Sequence, residues 1–202
     1  MVARVEPAQR TQFIFEEDRN DTVPIAAARG DPEAFDALYT RFADQVLNYC
    51  YYRLGNWSDA EDAAQQIFAN VYTALPRFRD RGGSFQAWLF TIAHHEIANR
   101  RRYQRRHPRW TLVDEDLEDT QPTPEELAVV AERQDRVRSL LGQLSEDQRR
   151  VLELRLAGLT DREIGEVLGR TPGAVRGVQA RGVSRLRSLL GRRPKREDTD
   201  HG

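Results

Sequence analysis

An all-α protein of two small helical domains joined by a flexible acidic linker is the architecture this sequence predicts, and three observations predict it. Apolar residues recur at helical spacing in two separate blocks, Phe35 to Ile92 and Val137 to Leu190, and no alternating run is strong enough for a strand. Helix-starting signals stand ahead of the apolar runs: Asp31–Pro32, Ser58 with Glu61, Ser84, Ser145 with Gln148, Thr160 with Glu163, and Thr171–Pro172. Between the blocks lies Thr111–Leu127, with seven acidic residues, two prolines and no basic residue, a composition suited to extended chain.

The elements follow in order. A short helix is expected over "TVPIAAARG", and then a long one capped at Asp31, with Phe35, Leu38, Tyr39, Phe42 and Val46 on one face and Cys50 on its apolar side. Asn56-Trp57-Ser58 breaks the pattern, and Ser58 with Glu61 reads as the capping box of the next helix. There Ala60, Ala63, Ala64, Ile67, Phe68, Val71, Tyr72 and Leu75 share the apolar spacing. After Pro76 the stretch "RFRDRGG" reads as a loop, and Ser84 caps a helix whose Phe85, Trp88, Leu89 and Ile92 face inward and which runs into Arg100–Arg109. In the second block Val137, Leu140, Leu141 and Leu144 open the pattern. Val151, Leu152, Leu154 and Leu156 follow, then Ile164, Val167 and Leu168, and after Gly169 a last helix carries Val175, Val178, Leu186, Leu189 and Leu190. The expected divisions are an extension over 1–21, a first domain over 22–110, the linker over 111–131, a second domain over 132–192 and a polar tail over 193–202.

Composition narrows the function classes. The longest apolar run falls well short of the roughly 18 residues of a membrane span, and the N-terminus lacks the apolar core of a secretory signal, so a cytoplasmic protein without membrane insertion is expected. One cysteine, Cys50, permits no internal disulfide and no cysteine-based zinc cluster. His94, His95 and Glu96 point about 100° apart around a helix, and with His107 they set up no metal site. No phosphate loop, nucleophile motif or catalytic carboxylate pair is present, so the expectation is a non-enzyme without cofactors. The formal net charge of -1 conceals two basic blocks flanking the acidic linker; their charges cancel in the sum and not in space.

Three stretches carry chemistry. Thr160–Leu168 and Thr171–Leu190 read as a helix-turn-helix, with Ile164, Val167, Leu168 and Val175 as its internal lock. Arg176, Gln179, Ala180 and Arg181 are placed away from the apolar positions, where arginine can bond guanine bidentately and glutamine adenine. The loop "RFRDRGGSF" and the following arginines combine cations with aromatics, as single-strand binding requires, and Phe78 is the aromatic best placed to touch a base. On the second long helix Asp62, Gln65, Gln66 and Asn70 form a polar stripe that suits a basic partner helix, while Asp59, Glu61 and Asp62 also suit the helix dipole.

"SDAEDAAQQIFANVYTALPRFRDRGGSFQAWLFTIAHHEIANRRRYQRR" resembles region 2 of bacterial extracytoplasmic-function sigma factors, and "LGQLSEDQRRVLELRLAGLTDREIGEVLGRTPGAVRGVQARGVSRLRSLL" resembles their region 4. The resemblance implies a dissociable initiation subunit of RNA polymerase. It implies that Asp59, Glu61, Asp62, Gln65, Gln66 and Asn70 dock on the β′ clamp of core polymerase. It implies that Arg77, Phe78, Arg79, Asp80, Arg81 and Ser84, with Asn99, Arg102 and Arg106, read the -10 element. It further implies that Thr171, Arg176, Gly177, Gln179 and Arg181 read the -35 element of promoter DNA, the opposite face holding the β flap. An anti-sigma factor is an expected partner. The chain departs from the family pattern at Gln66, where glutamate is usual, at His94–His95, and at Gly177, Val178 and Ala180 in the reading helix. The alternatives are a helix-turn-helix regulator that works without polymerase and a module that binds only acidic proteins.

Overall fold

The computed structural model describes residues 32–78, 84–106 and 124–191. Seven α-helices make up these residues: α1 (Pro32–Leu54), α2 (Trp57–Ala74), α3 (Phe85–Arg106), α4 (Pro124–Gly142), α5 (Glu146–Leu156), α6 (Asp161–Leu168) and α7 (Pro172–Gly191). A 3-10 turn, Leu75–Arg77, continues α2 at Pro76. The extension over 1–21, the expected helix before Asp31, that residue's cap, loop residues Arg79, Asp80 and Arg81, His107, the acidic run 111–123 and the tail 193–202 lie outside the described residues.

Helices α1, α2 and α3 pack together as the first module. Leu38, Phe42, Val46, Tyr49 and Cys50 of α1 are buried with Ile67, Phe68 and Val71 of α2 and Leu89, Phe90, Ala93 and Ile97 of α3. Ala60 and Ala63 are fully buried, and their small side chains let α2 lie close to its neighbours. Two details differ from expectation. The cap of α2 is Asn56, not Ser58: its Oδ1 accepts from the Asp59 N–H at 2.7 Å, so the helix starts one residue before the expected cap. Tyr72, expected among the inward residues, is exposed, its ring resting edge-on against Phe35 with centroids 5.0 Å apart.

The second module packs α7 against α4, α5 and α6. Its first helix starts at Pro124, within the stretch expected to be extended; proline at the first position and Glu125 and Glu126 in the first turn favour a start there. Both expected capping boxes are formed, Ser145 with Gln148 and Thr160 with Glu163. The corner between α6 and α7 is set by two glycines. Gly169 has φ +65, and the Arg170 N–H donates to the Gly165 carbonyl at 2.8 Å. A Cβ on Gly165 would stand 2.5 Å from the Arg170 carbonyl oxygen, so only glycine admits this turn.

The modules meet through α1 against α5 and α3 against α6. Arg53 of α1 is buried and its Nη1 donates to Glu153 Oε2 at 3.0 Å and Glu146 Oε1 at 3.3 Å, both on α5. Around this pair Tyr51 donates to Asp135 at 2.5 Å, Gln134 to Asn48 at 3.3 Å, and Gln86 to the Ala157 carbonyl at 3.3 Å. The Arg138 guanidinium occupies the space a Gly55 side chain would need, 2.6 Å from that Cβ position.

Candidate nucleic-acid interface

Three surfaces hold the sequence-predicted residues. The first is the polar stripe of α2, where Glu61, Asp62, Gln65 and Gln66 are exposed. Asp59 is instead engaged at the helix start. Its carboxylate accepts from Asn56 Nδ2 at 2.8 Å and lies 3.8 Å from Arg100, whose Nη1 also donates to the Asp59 carbonyl at 3.0 Å. Asp59 thereby fastens α2 to α3. Gln66 Nε2 donates to Asn70 Oδ1 at 3.0 Å, and Asn70 Nδ2 reaches Glu96 at 3.4 Å, so the stripe extends onto α3.

The second surface is the exposed edge of α3 and the turn before it. Ser84 accepts from the Ala87 N–H at 3.4 Å as the helix cap. Glu96, Asn99, Arg100, Arg102, Tyr103 and Arg106 line a groove of about 440 Å³. Arg102 Nη1 donates to Asn99 Oδ1 at 3.5 Å, and Arg106 Nε to the Arg102 carbonyl at 3.4 Å, which orders a row of cations along one helix edge. Arg77 is exposed in the 3-10 turn that ends α2. Phe78 corrects an expectation. It is only 7% exposed, with its ring 4.8 Å from Trp88 and 5.6 Å from Phe85, centroid to centroid. Burying a phenylalanine among aromatics stabilises the core more than leaving it in water, so this ring packs the end of α2 onto the start of α3.

The third surface is the N-terminal half of α7. Thr171 caps it, its Oγ1 accepting from the Ala174 N–H at 3.3 Å. Val175 and Val178 are buried against the module core, which turns Arg176 and Arg181 outward. Arg176 is 65% exposed on its side chain and lies 3.6 Å from Asp161. Arg181 passes over Gly177, its Nη1 3.5 Å from where a side chain there would begin. Gln179, expected on the outer face, is half-buried at its edge, with Oε1 accepting from Arg155 Nη2 at 3.1 Å. The geometry suits reading acceptor-rich base edges from a rigid corner.

Electrostatic perturbation concentrates at the module junction. Burial pushes the Glu153 carboxyl up to about 7, against the opposing pull of Arg53. Glu146 is held down at about 2 by Arg53 and Arg149, outweighing its partial burial. His94, whose Nδ1 lies 3.2 Å from the Tyr49 hydroxyl, is pushed down to about 4 by burial and then by Arg53. Arg53, Glu153, Arg155, Asp161 and Gly165 were not singled out from sequence. One signal was available for Glu153: it interrupts the apolar run "VLELRL" at a position flanked by two buried leucines.

Comparison with known proteins places both modules. The Sigma-70 region 2 model matches residues 38–107, and the Sigma-70, region 4 model matches residues 134–185. The ECF RNA polymerase sigma factor ShbA of Streptomyces griseus is 41% identical over 173 residues, covering 81% of this chain and 91% of that protein. The ECF RNA polymerase sigma factor SigD of Mycobacterium tuberculosis is 36% identical over 181 residues, covering 86% and 84%. Among solved structures, CnrH in complex with the cytosolic domain of CnrY is similar at a TM-score of 0.65 and 25% identity, over 85% of this chain and 96% of that one. RpoE of Bartonella quintana, solved with the anti-sigma factor NepR, shares the fold at a TM-score of 0.58 and 18% identity, over 79% and 98%.

Proposed function

Because the chain belongs to the sigma-70 family, in its extracytoplasmic-function branch, we propose a division of labour among its three surfaces. The protein is an RNA polymerase sigma factor, which joins core polymerase and directs initiation at promoters. The α2 stripe, Glu61, Asp62, Gln65 and Gln66 with Asn70, docks on the β′ clamp; Asp59 contributes by fixing the start of that helix. The cationic edge of α3, with Asn99, Arg102 and Arg106, meets the -10 element, together with Arg77, Ser84 and loop residues Arg79, Asp80 and Arg81. Phe78 acts by packing against Phe85 and Trp88 at the start of α3. Thr171, Arg176, Gly177, Gln179 and Arg181 meet the -35 element, and the opposite face of the second module meets the β flap. It works in the cytoplasm, as a binding subunit and not as a catalyst, and an anti-sigma factor holds it away from polymerase.

The observation that supports the DNA-reading half best is the α6–α7 corner. Gly165 and Gly169 make it rigid, and buried Val175 and Val178 fix the rotation of α7, so that Arg176 and Arg181 both face away from the module core. The test is reconstitution with bacterial core polymerase on the protein's own upstream DNA, with footprinting. Specific transcripts with a protected -35 region are expected, and Arg176→Ala or Arg181→Ala weakens that protection. Undiminished protection in both variants refutes the assignment. Operator binding by the free protein with no core binding would favour a polymerase-independent regulator.

A further inference from the structure

Four side chains from three helices meet behind the reading face of α7. Arg155, in the last turn of α5, donates from Nη1 to the Leu159 carbonyl at 2.7 Å. Its Nη2 donates both to Asp161 Oδ1 and, at 3.1 Å, to Gln179 Oε1. The other oxygen of Asp161, in the first turn of α6, lies 3.6 Å from Arg176 Nη1. A single carboxylate thus stands between one arginine anchored to the module and one that projects from it. The side chains of Arg155 and Asp161 are about three-quarters buried, so their places are set by packing more than by solvent.

The chemistry of arginine decides which way Gln179 faces. A guanidinium has donors and no acceptor, so the end of the glutamine amide turned to Arg155 is its oxygen. The NH2 end is left for whatever lies beyond α7. Glutamine reads adenine by using both ends at once, accepting from N6 and donating to N7. A glutamine whose oxygen is turned back toward Arg155 presents its NH2 donors on the other side, and donors match the two acceptors of guanine, O6 and N7. Arg176, tethered beside it, is also a pure donor.

We propose that Arg155 and Asp161 are positioning residues for promoter recognition, which hold Gln179 and Arg176 so that this part of α7 presents donors alone and selects G·C pairs in the -35 element. The inference rests on the reading of α7 as the -35 helix. It reverses the adenine preference that glutamine by itself suggests, and it places the cause on helices that do not face the groove.

The experiment selects active promoters from a library randomised across the -35 element, using holoenzyme reconstituted from core polymerase and the full chain. The position whose preference flattens in Gln179→Ala is the one this residue reads, and the wild type should favour G·C there. Arg155→Met releases the amide oxygen and should move that position toward A·T by about fivefold or more, the discrimination one bidentate pair confers. Asp161→Asn, which leaves both arginines in place, should flatten the preference that Arg176→Ala abolishes, and Asp161→Glu should restore it. Circular dichroism melting of each variant separates a lost bracket from a lost fold, and Asp161→Asn keeps the question answerable where Arg155→Met unfolds. An A·T preference in the wild type, no position flattened by Gln179→Ala, or folded variants that select the same sequences as the wild type each overturn the proposal. A wild-type holoenzyme indifferent to the -35 sequence overturns the helix assignment together with it.

Discussion

Removing one member of the buried pair Arg53–Glu153 should cost far more than removing both. The two side chains are 3% and 0% exposed and 3.0 Å apart. At an effective dielectric of about 20 their attraction is about 5 kcal/mol. Desolvation of each ion costs several kcal/mol, so the intact pair contributes close to nothing net. The junction is also incompletely satisfied, since Arg53 Nε, Arg149 Nε and Glu153 Oε1 are buried without a hydrogen-bond partner. Arg53→Met leaves Glu153 buried with Arg149 Nε 3.7 Å away as its remaining cation, and the expected loss is about 3–5 kcal/mol. Glu153→Leu leaves Arg53 with the half-exposed Glu146 and should cost somewhat less. The double variant should lie within about 1–2 kcal/mol of wild type. Urea denaturation followed by circular dichroism gives all four corners of the cycle. Single costs that simply add in the double variant, with a coupling below about 0.5 kcal/mol, would refute the claim that these charges are buried against each other.

The same junction gives a pH dependence. The Glu153 carboxyl rises from 4.5 to about 7 on burial, so the folded form holds the proton more tightly and Glu153's contribution falls as pH rises from about 4.5 to 7. His94, lowered to about 4, acts oppositely between about 4 and 6.5, and Glu146, lowered to about 2, contributes above 4.5 and loses that contribution as pH falls toward 2. Subtracting the Glu153→Gln stability profile from the wild-type one isolates the first effect; a flat difference between pH 4.5 and 7 would reject it. Gly165→Ala sets a methyl group 2.5 Å from the Arg170 carbonyl and should destabilise the second module by about 1–3 kcal/mol, read from its thermal midpoint. Glu61→Arg with Asp62→Arg, both exposed, should abolish binding to core polymerase in a pull-down while shifting the melting midpoint little. Phe78→Ala should lower stability by about 3–5 kcal/mol, as emptying an aromatic core site does, whereas a base-contacting ring would lower promoter melting and leave stability alone.

Local order was written in the sequence. Two blocks of helical spacing, the capping boxes at Ser145 and Thr160, the Thr171–Pro172 start and Gly169 in the corner all recur in the structure, because each depends on residues within one or two turns of one another. The outward Arg176 and Arg181 follow from the same arithmetic, since helical rotation from buried Val175 and Val178 sets where they point. Differences and omissions arose where a polar or aromatic residue had to choose a partner outside its own helix. Phe78 chose Trp88 and Phe85 over solvent, and Gln179 chose Arg155, 24 residues earlier. Arg53 chose Glu153, 100 residues later. No periodicity marks such choices, for the free energy of a polar group depends on what desolvates it and what answers its hydrogen bonds. Both are supplied only when the helices have packed.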